Sequence, residues 1–159
     1  MGHMLEIDIP GFGSVKLQHF VSNFTGTLSY NGKLIPGVKE RLEQISKFME
    51  IHVLTSDSFG TAESELNGLP CKLKILDGEY HDLQKEEYVD RLGASSVVAF
   101  GNGNNDRKML RVAKIGVAVT GREGSAIDIL MAGEVYVNDI NAGLELLLYP
   151  KGLKATLRY

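Results

Sequence analysis

Apolar residues alternate with polar ones at the start of the chain: Leu5, Ile7 and Ile9, then, beyond Pro10-Gly11-Phe12-Gly13, from Val15 onward. Alternation buries one face of a strand, and Pro-Gly marks a turn. The segment therefore predicts a hairpin that runs into a strand from about Lys16 to Ser22. After Pro36-Gly37 the period changes. Val38, Leu42, Ile45 and Met49 share one helical face, opposite Lys39, Glu40, Glu43 and Lys47. Short apolar runs at Ile51–Thr55, Lys72–Leu76, Ser96–Phe100, Ile115–Val119 and Val135–Val137 read as further strands. Helical patterns separate them. They cover about Thr61–Leu66, then Leu83–Leu92 with Asp82 as N-cap and Gly93 as the stop. A stretch with Met109, Leu110 and Ala113 inward follows, then Ser125–Met131 and Asp139–Leu148. Pro150 is expected to end the last helix, leaving Lys151–Tyr159 as a packed strand or a contact with another chain.

Strands alternating with helices predict an α/β fold of three layers: a doubly wound, mainly parallel sheet, extended by the N-terminal β-hairpin. Such sheets bind ligands beyond the carboxyl ends of their strands, near the point where strand order reverses. Chemistry is therefore expected at the turns Ser22–Leu28 (SNFTGTL), Leu54–Asp57 (LTSD) and Gly101–Asp106 (GNGNND). Gly26, between Thr25 and Thr27, lets the backbone bend so that successive N–H groups form an anion-holding nest. Thr55 or Ser56 adds a hydroxyl donor, and Lys85 supplies a cation. Asp106, with the amide oxygens of Asn102 and Asn105, offers oxygen to a hard metal such as Mg²⁺. Asp57 reads equally as a site residue and as a helix N-cap. Tyr30, between the first turn and the next helix, is within the reach of a ligand.

Composition narrows the partners. A chain of 159 residues holds one domain, taken as 5–159, with Met1-Gly2-His3-Met4 reading as an expression scar ahead of a native methionine. The net charge of −3 and scattered Lys and Arg argue against nucleic acid. No apolar run approaches a membrane span. The single cysteine, Cys71, excludes an intrachain disulfide and points to a reducing, cytoplasmic setting, with Cys71 itself a small buried or edge residue. His19, His52 and His81 show no metal-ligand spacing and read as structural or exposed. Asn23-Phe24-Thr25 matches a glycosylation sequon, but it falls at a strand end in a chain with no secretory signal.

In this order, the three turns and Lys85 resemble the haloacid dehalogenase (HAD) superfamily. More narrowly they are similar to the phosphorylation domain of P-type ATPases and its small soluble relatives. The pumps carry Asp-Lys-Thr-Gly-Thr where this chain has Asn23-Phe24-Thr25-Gly26-Thr27. They carry Thr-Gly-Asp where it has Thr55-Ser56-Asp57, and Gly-Asp-Gly-x-Asn-Asp where it has Gly101-Asn102-Gly103-Asn104-Asn105-Asp106. The stretch MLRVAKIGVAVTGREGSAIDILMAGEVYV is also similar, and the resemblance spans roughly Leu17 to Leu148. It implies that Asn23 stands where an aspartate attacks phosphorus, and that Thr25 stands where many phosphatases have a general acid. It further implies that Gly26, Thr27, Thr55, Ser56 and Lys85 hold the phosphoryl group. The metal would lie among Asn23, Thr25, Asn102 and Asp106.

Two departures fall on demanding positions. A carboxylate is the nucleophile in aspartyl-phosphate chemistry, and Mg²⁺ prefers charged oxygen, yet positions 23 and 102 are amides. Only Leu28–Pro36 separates the first turn from the next helix, room for a flap and not for a large cap. The expectation is a P-type-ATPase-like phosphohydrolase scaffold with impaired catalysis and weakened Mg²⁺ binding. It would still take a small phosphate-bearing ligand or a phosphoprotein, and could self-associate through its C-terminal tail. Two alternatives stand beside it: an active Mg²⁺-dependent phosphatase whose nucleophile was replaced by engineering, and a non-enzymatic interaction or regulatory module.

Overall fold

The structure, a computed structural model, describes residues 4–159. The expected expression scar therefore lies, apart from Met4, outside the described residues. The chain opens with an antiparallel hairpin of β1 (Leu5–Ile9) and β2 (Gly13–Leu17). The expected continuous strand through Ser22 is broken at Gln18. The first strand of the main sheet, β3 (His19–Asn23), begins after it. Gln18 still serves that sheet, since its N–H donates to Ser96 O at 2.9 Å and its carbonyl accepts from Glu50 N at 2.9 Å.

A small flap follows, built from β4 (Ser29–Tyr30) and β5 (Lys33–Leu34). Its tip, Asn31-Gly32, has φ of 51° and 78°. Both residues are left-handed, the geometry a tight two-residue hairpin turn requires. Then come α1 (Val38–Ile45), β6 (Glu50–Thr55), the single turn α2 (Ala62–Glu65), β7 (Cys71–Ile75), α3 (His81–Leu92) and β8 (Val97–Gly101). The chain ends with α4 (Arg107–Val112), β9 (Ile115–Val119), β10 (Val135–Val137), α5 (Ile140–Leu148) and α6 (Pro150–Leu157).

Six strands pair in the order β10-β9-β8-β3-β6-β7, all parallel. The alternation along β3 explains the layers. Phe20 points to one face, into a core shared with Val38, Leu42 and Ile45 of α1 and Ile140, Leu144 and Leu147 of α5. Val21 points to the other, beside Val89 of α3 and Met109 and Leu110 of α4. This is the expected three-layer, doubly wound sheet with an N-terminal hairpin, and the flap is the insertion between β3 and α1. Cys71 lies half-buried on the edge strand β7, where burial pushes its thiol pKa up.

Three local expectations are corrected. The N-cap of α3 is Tyr80, in a left-handed conformation with φ 60°, and not Asp82. Asp82 sits inside the first turn, where its carboxylate accepts from Lys108 Nζ of α4 at 2.6 Å. The helix expected at Ser125–Met131 is a 3₁₀ segment over Ile127–Met131. The helix before Pro150 does end there, at Leu148, but the tail is not a strand: Pro150 opens α6 as its first residue, a place where the missing proline N–H costs nothing. The tail is helical: Leu153 is buried in the core beside the hairpin, and Tyr159 N donates to Pro10 O at 2.9 Å.

Candidate functional site

Parallel register sets the site. Asn23 lies opposite Leu54, and Ser22 opposite Phe100, so β3, β6 and β8 end side by side where strand order reverses. Asn23 is almost wholly buried at the end of β3. Its Nδ2 donates to Thr25 O at 2.7 Å, to Asn102 Oδ1 at 3.2 Å and, at 3.4 Å, to Thr27 Oγ1. Thr27 Oγ1 in turn donates to Asn102 Oδ1 at 3.0 Å. Asn23 Oδ1 accepts from Lys85 Nζ at 3.4 Å. The opposite amide orientation would aim N–H groups at the Lys85 ammonium, so the assignment rests on that contact.

Lys85, on the inner side of α3, is 2% exposed. Its ammonium donates to Asp106 Oδ1 at 2.7 Å and Asn105 Oδ1 at 2.9 Å, besides Asn23. Three protons thus meet three acceptors. Asp106 is wholly buried, and its Oδ2 accepts from the N–H groups of Asn102 and Gly103, both at 3.0 Å. This closes the Gly101–Asp106 turn. A side chain at Gly101 would put its Cβ 2.4 Å from Asp106 Cβ, so the turn needs glycine there.

The other expected residues are placed differently. The N–H groups of Gly26, Thr27, Leu28 and Ser29 bond within their own turn, to Ser29 O and Phe24 O. The nest expected at Gly26 and Thr27 is therefore closed. Gly26 is still required, because its φ is +80° and an added Cβ would lie 2.5 Å from Asn102 Nδ2. Thr55 is buried at the end of β6, and its Oγ1 accepts from Asp57 N at 2.9 Å. Asp57 has turned away, its Oδ1 accepting from Thr61 N and Ala62 N at 3.0 Å, the capping role. Ser56 is exposed, near Ser58 Oγ at 3.4 Å. Thr25 Oγ1 is a buried oxygen with no partner among the described residues. Such an atom is costly and marks a place where a ligand or water belongs.

Sequence reasoning did not single out the loop after β9. Asn102 Nδ2 donates to Gly124 O at 3.2 Å, and Ala126 N to Asn102 O at 2.9 Å, which docks the loop on the site. Arg122 lies over the Tyr30 ring of the flap at 4.5 Å, and Asn31 N donates to Glu123 Oε2 at 3.3 Å. Flap and loop enclose a groove of about 770 Å³ that meets the site at Thr27 and is also lined by Tyr30, Ile35, Thr120, Arg122 and Asp139. The signal available in the sequence was the Gly-rich turn Gly121-Arg122-Glu123-Gly124 at a strand's carboxyl end.

The donor set does not suit Mg²⁺ as the resemblance implies it. Thr25 O, Thr27 Oγ1 and Asn102 Oδ1 converge on one point, and the N–H groups of Asn23 already fill it. All three oxygens are neutral. Asp106, the carboxylate of the expected set, has one oxygen on Lys85 and the other on two backbone N–H groups. Mg²⁺ is held through one or two carboxylates, and the expected set of Asn23, Thr25, Asn102 and Asp106 offers none that is free.

The model of the haloacid dehalogenase-like hydrolase family matches residues 83–130. An uncharacterized protein of Methanocaldococcus jannaschii is 40% identical over 88 residues, 55% of this chain and 85% of that protein. Among solved structures, the cobalt-bound deoxy-D-mannose-octulosonate 8-phosphate phosphatase of Haemophilus influenzae superposes with a TM-score of 0.70. It is 12% identical, and the match covers 90% of this chain and 94% of that one. The corresponding phosphatase of Moraxella catarrhalis, in complex with magnesium, phosphate and the sugar acid, has a TM-score of 0.64 and 16% identity over 89% of this chain and 94% of that one. The chain belongs to the haloacid dehalogenase superfamily. Within this superfamily the likeness extends to pumps: the catalytic domain of the CPx-ATPase CopB-B has a TM-score of 0.58 and 21% identity, over 72% of this chain and 45% of that one. No helix among the described residues is long and apolar enough to cross a membrane.

Proposed function

We propose that this HAD-superfamily protein binds a small phosphate ester at the ends of β3, β6 and β8 but hydrolyses it poorly. One observation carries the reading. Asn23 Nδ2 donates to Asn102 Oδ1, Thr27 Oγ1 and Thr25 O, so an amide nitrogen stands where a nucleophilic oxygen and a cation would meet. An amide nitrogen has no lone pair available for attack on phosphorus. Loss of a nucleophile costs on the order of a million-fold in a hydrolase of another class.

Binding has its own support. The unpartnered Thr25 hydroxyl offers a donor, and Thr55 Oγ1 accepts from Asp57 N while keeping its own proton free to donate. Lys85 holds Asn23 Oδ1 by its longest contact, 3.4 Å, which a phosphoryl oxygen would replace. The charge-assisted bond so gained is the stronger kind. The groove under the flap has the volume for the organic part of the ester. Phosphorylated sugar acids are the substrates named for the phosphatase neighbours, and a divalent ion is bound in two of them. Here a divalent ion would meet only neutral oxygens. The cytoplasmic setting belongs to the same proposal and rests on the single cysteine.

The test is a thermal-shift and turnover series with phosphate, sugar phosphates and p-nitrophenyl phosphate, with and without Mg²⁺. A ligand that binds the folded state raises its stability with concentration. The expected result is a phosphate-dependent rise, independent of Mg²⁺, without turnover. Robust turnover by the purified protein would sink the impaired reading, and no shift with any phosphate would sink the binding reading.

A further inference from the structure

The opposite end of the sheet carries a second constellation. His19 opens β3 and Glu50 opens β6, and the two are register partners. His52 lies two residues beyond Glu50, so all three side chains leave one face of the sheet. His19 Nδ1 is 3.1 Å from His52 Nε2. Glu50 Oε1 is 3.4 Å from each of those nitrogens. On the far side of the ring, His52 Nδ1 is 2.8 Å from Tyr88 OH of α3. The expectation that these histidines are merely structural or exposed is corrected here. The spacing that unites them is set by the pairing of two strands and not by their separation in sequence.

We propose that His19, Glu50 and His52 form a binding site for a divalent transition ion of the zinc type. The distances carry the argument. A tetrahedral Zn²⁺ with bonds near 2.0–2.1 Å holds its ligand atoms about 3.3 Å apart. The three atoms of this triangle are already at 3.1, 3.4 and 3.4 Å. Hydrogen bonding alone serves the triangle poorly. Tyr88 OH can accept from His52 Nδ1 or donate to it; where Nδ1 is the donor, Nε2 presents a lone pair. One N–H from His19 then cannot align on both Nε2 and Oε1. A cation at the centre satisfies all three at once.

The surroundings agree. His52 is 1% exposed, and burial lowers its pKa to about 4, so the imidazole stays neutral, the form that ligates. Tyr88 holds the ring orientation through its 2.8 Å contact with Nδ1, the part an outer partner plays at a metal-bound histidine. Lys72 Nζ stands 3.5 Å from Glu50 Oε1, but its side chain is largely exposed and free to swing away. Imidazole and carboxylate suit zinc and its neighbours in the first transition row better than Mg²⁺. Three protein ligands leave one position open, on the side of the exposed Glu50. An ion here would clamp the starts of β3 and β6 and, through Tyr88, α3. Those elements carry Asn23 and Lys85 at the other end. The site does not depend on the phosphate reading.

The experiment is zinc titration of the chelator-stripped full chain, by calorimetry and thermal shift, with Co²⁺ as the spectroscopic probe. One equivalent of Zn²⁺ should bind and raise the melting temperature, and Co²⁺ should give the intense visible bands of a tetrahedral site. Glu50→Gln alters an exposed group and His19→Ala one at the start of its strand that is less buried than His52, so both should keep the fold. Each should weaken zinc binding by at least about tenfold, and Tyr88→Phe by about 10–100-fold. His52 is too buried for its replacement alone to decide the matter. Absence of zinc binding by the unaltered chain, or binding that survives in both Glu50→Gln and His19→Ala, would overturn the proposal.

Discussion

Lys85 and Asp106 are the residues whose burial most constrains the site. Both are nearly inaccessible, and their contact of 2.7 Å is the only ion pair among the described residues with both side chains at 2% exposure or less. Removing one partner of such a pair leaves a charge in a medium that cannot solvate it, at a cost of about 3–5 kcal/mol. Lys85→Met should therefore lower unfolding stability by that order in urea titration, and adding Asp106→Asn should recover part of the loss. Equal stabilities for Lys85→Met and the unaltered chain would show that the pair does not hold the turn. Asn23 and Asn102 were legible in the sequence as a paired loss of charge. Their bond to one another was not, because it depends on β3 and β8 ending level. The capping role of Asp57 was legible only as one of two equal readings. In the structure its Oδ1 accepts from Thr61 N and Ala62 N, the capping arrangement.

At the scale of elements, the strand–helix alternation carried most of the fold, because the central strands β3, β6, β8 and β9 are short buried runs and helices such as α1 and α5 have a one-sided apolar face. The failures lie at ends. Asp82 has the residue type of an N-cap, but Lys108 on the neighbouring helix draws its carboxylate into a tertiary bond that no local pattern encodes. That bond lowers the Asp82 pKa below the usual aspartate value. A depressed carboxylate pKa means the unfolded chain binds the proton more readily. The contribution is then full above the unfolded value and is lost as pH falls through the folded one. Lys108→Met should reduce the urea midpoint slightly at neutral pH, with the difference from the unaltered chain shrinking as aspartates protonate. A difference that stays constant down to acid pH would mean the bond contributes nothing through charge. Pro150 misled for a related reason. A proline can end one helix and start the next, and both occur here; the buried contact of Leu153 is what the sequence did not show.

For the whole molecule, the hairpin of β1 and β2 and the helix α6 form one unit over the end of the chain. Leu5, Ile9, Val15 and Leu17 share their core with Leu153, and a Cβ at Gly11 would come within 2.7 Å of Tyr159. The tail thus packs as a helix on its own chain, and not as the strand the sequence suggested. Deleting Lys151–Tyr159 removes a fully buried leucine and uncovers the hairpin. It should cost at least about 2 kcal/mol by chemical denaturation. Size-exclusion mass should stay the same before and after deletion, whereas a drop in mass with unchanged stability would assign the tail to self-association.

The central claim is that the fold retains a phosphatase frame whose site has lost its two acids to amides. Asn23→Asp, alone and with Asn102→Asp, tests it most directly. An aspartate at 23 cannot donate to Thr25 O and Asn102 Oδ1, so those oxygens would face a carboxylate with only a cation to reconcile them. Hydrolysis of p-nitrophenyl phosphate should be undetectable in the unaltered chain with Mg²⁺ and should appear, Mg²⁺-dependent, in the doubly substituted protein. Equal Mg²⁺-dependent turnover in all three proteins, or none in any of them, would contradict the account.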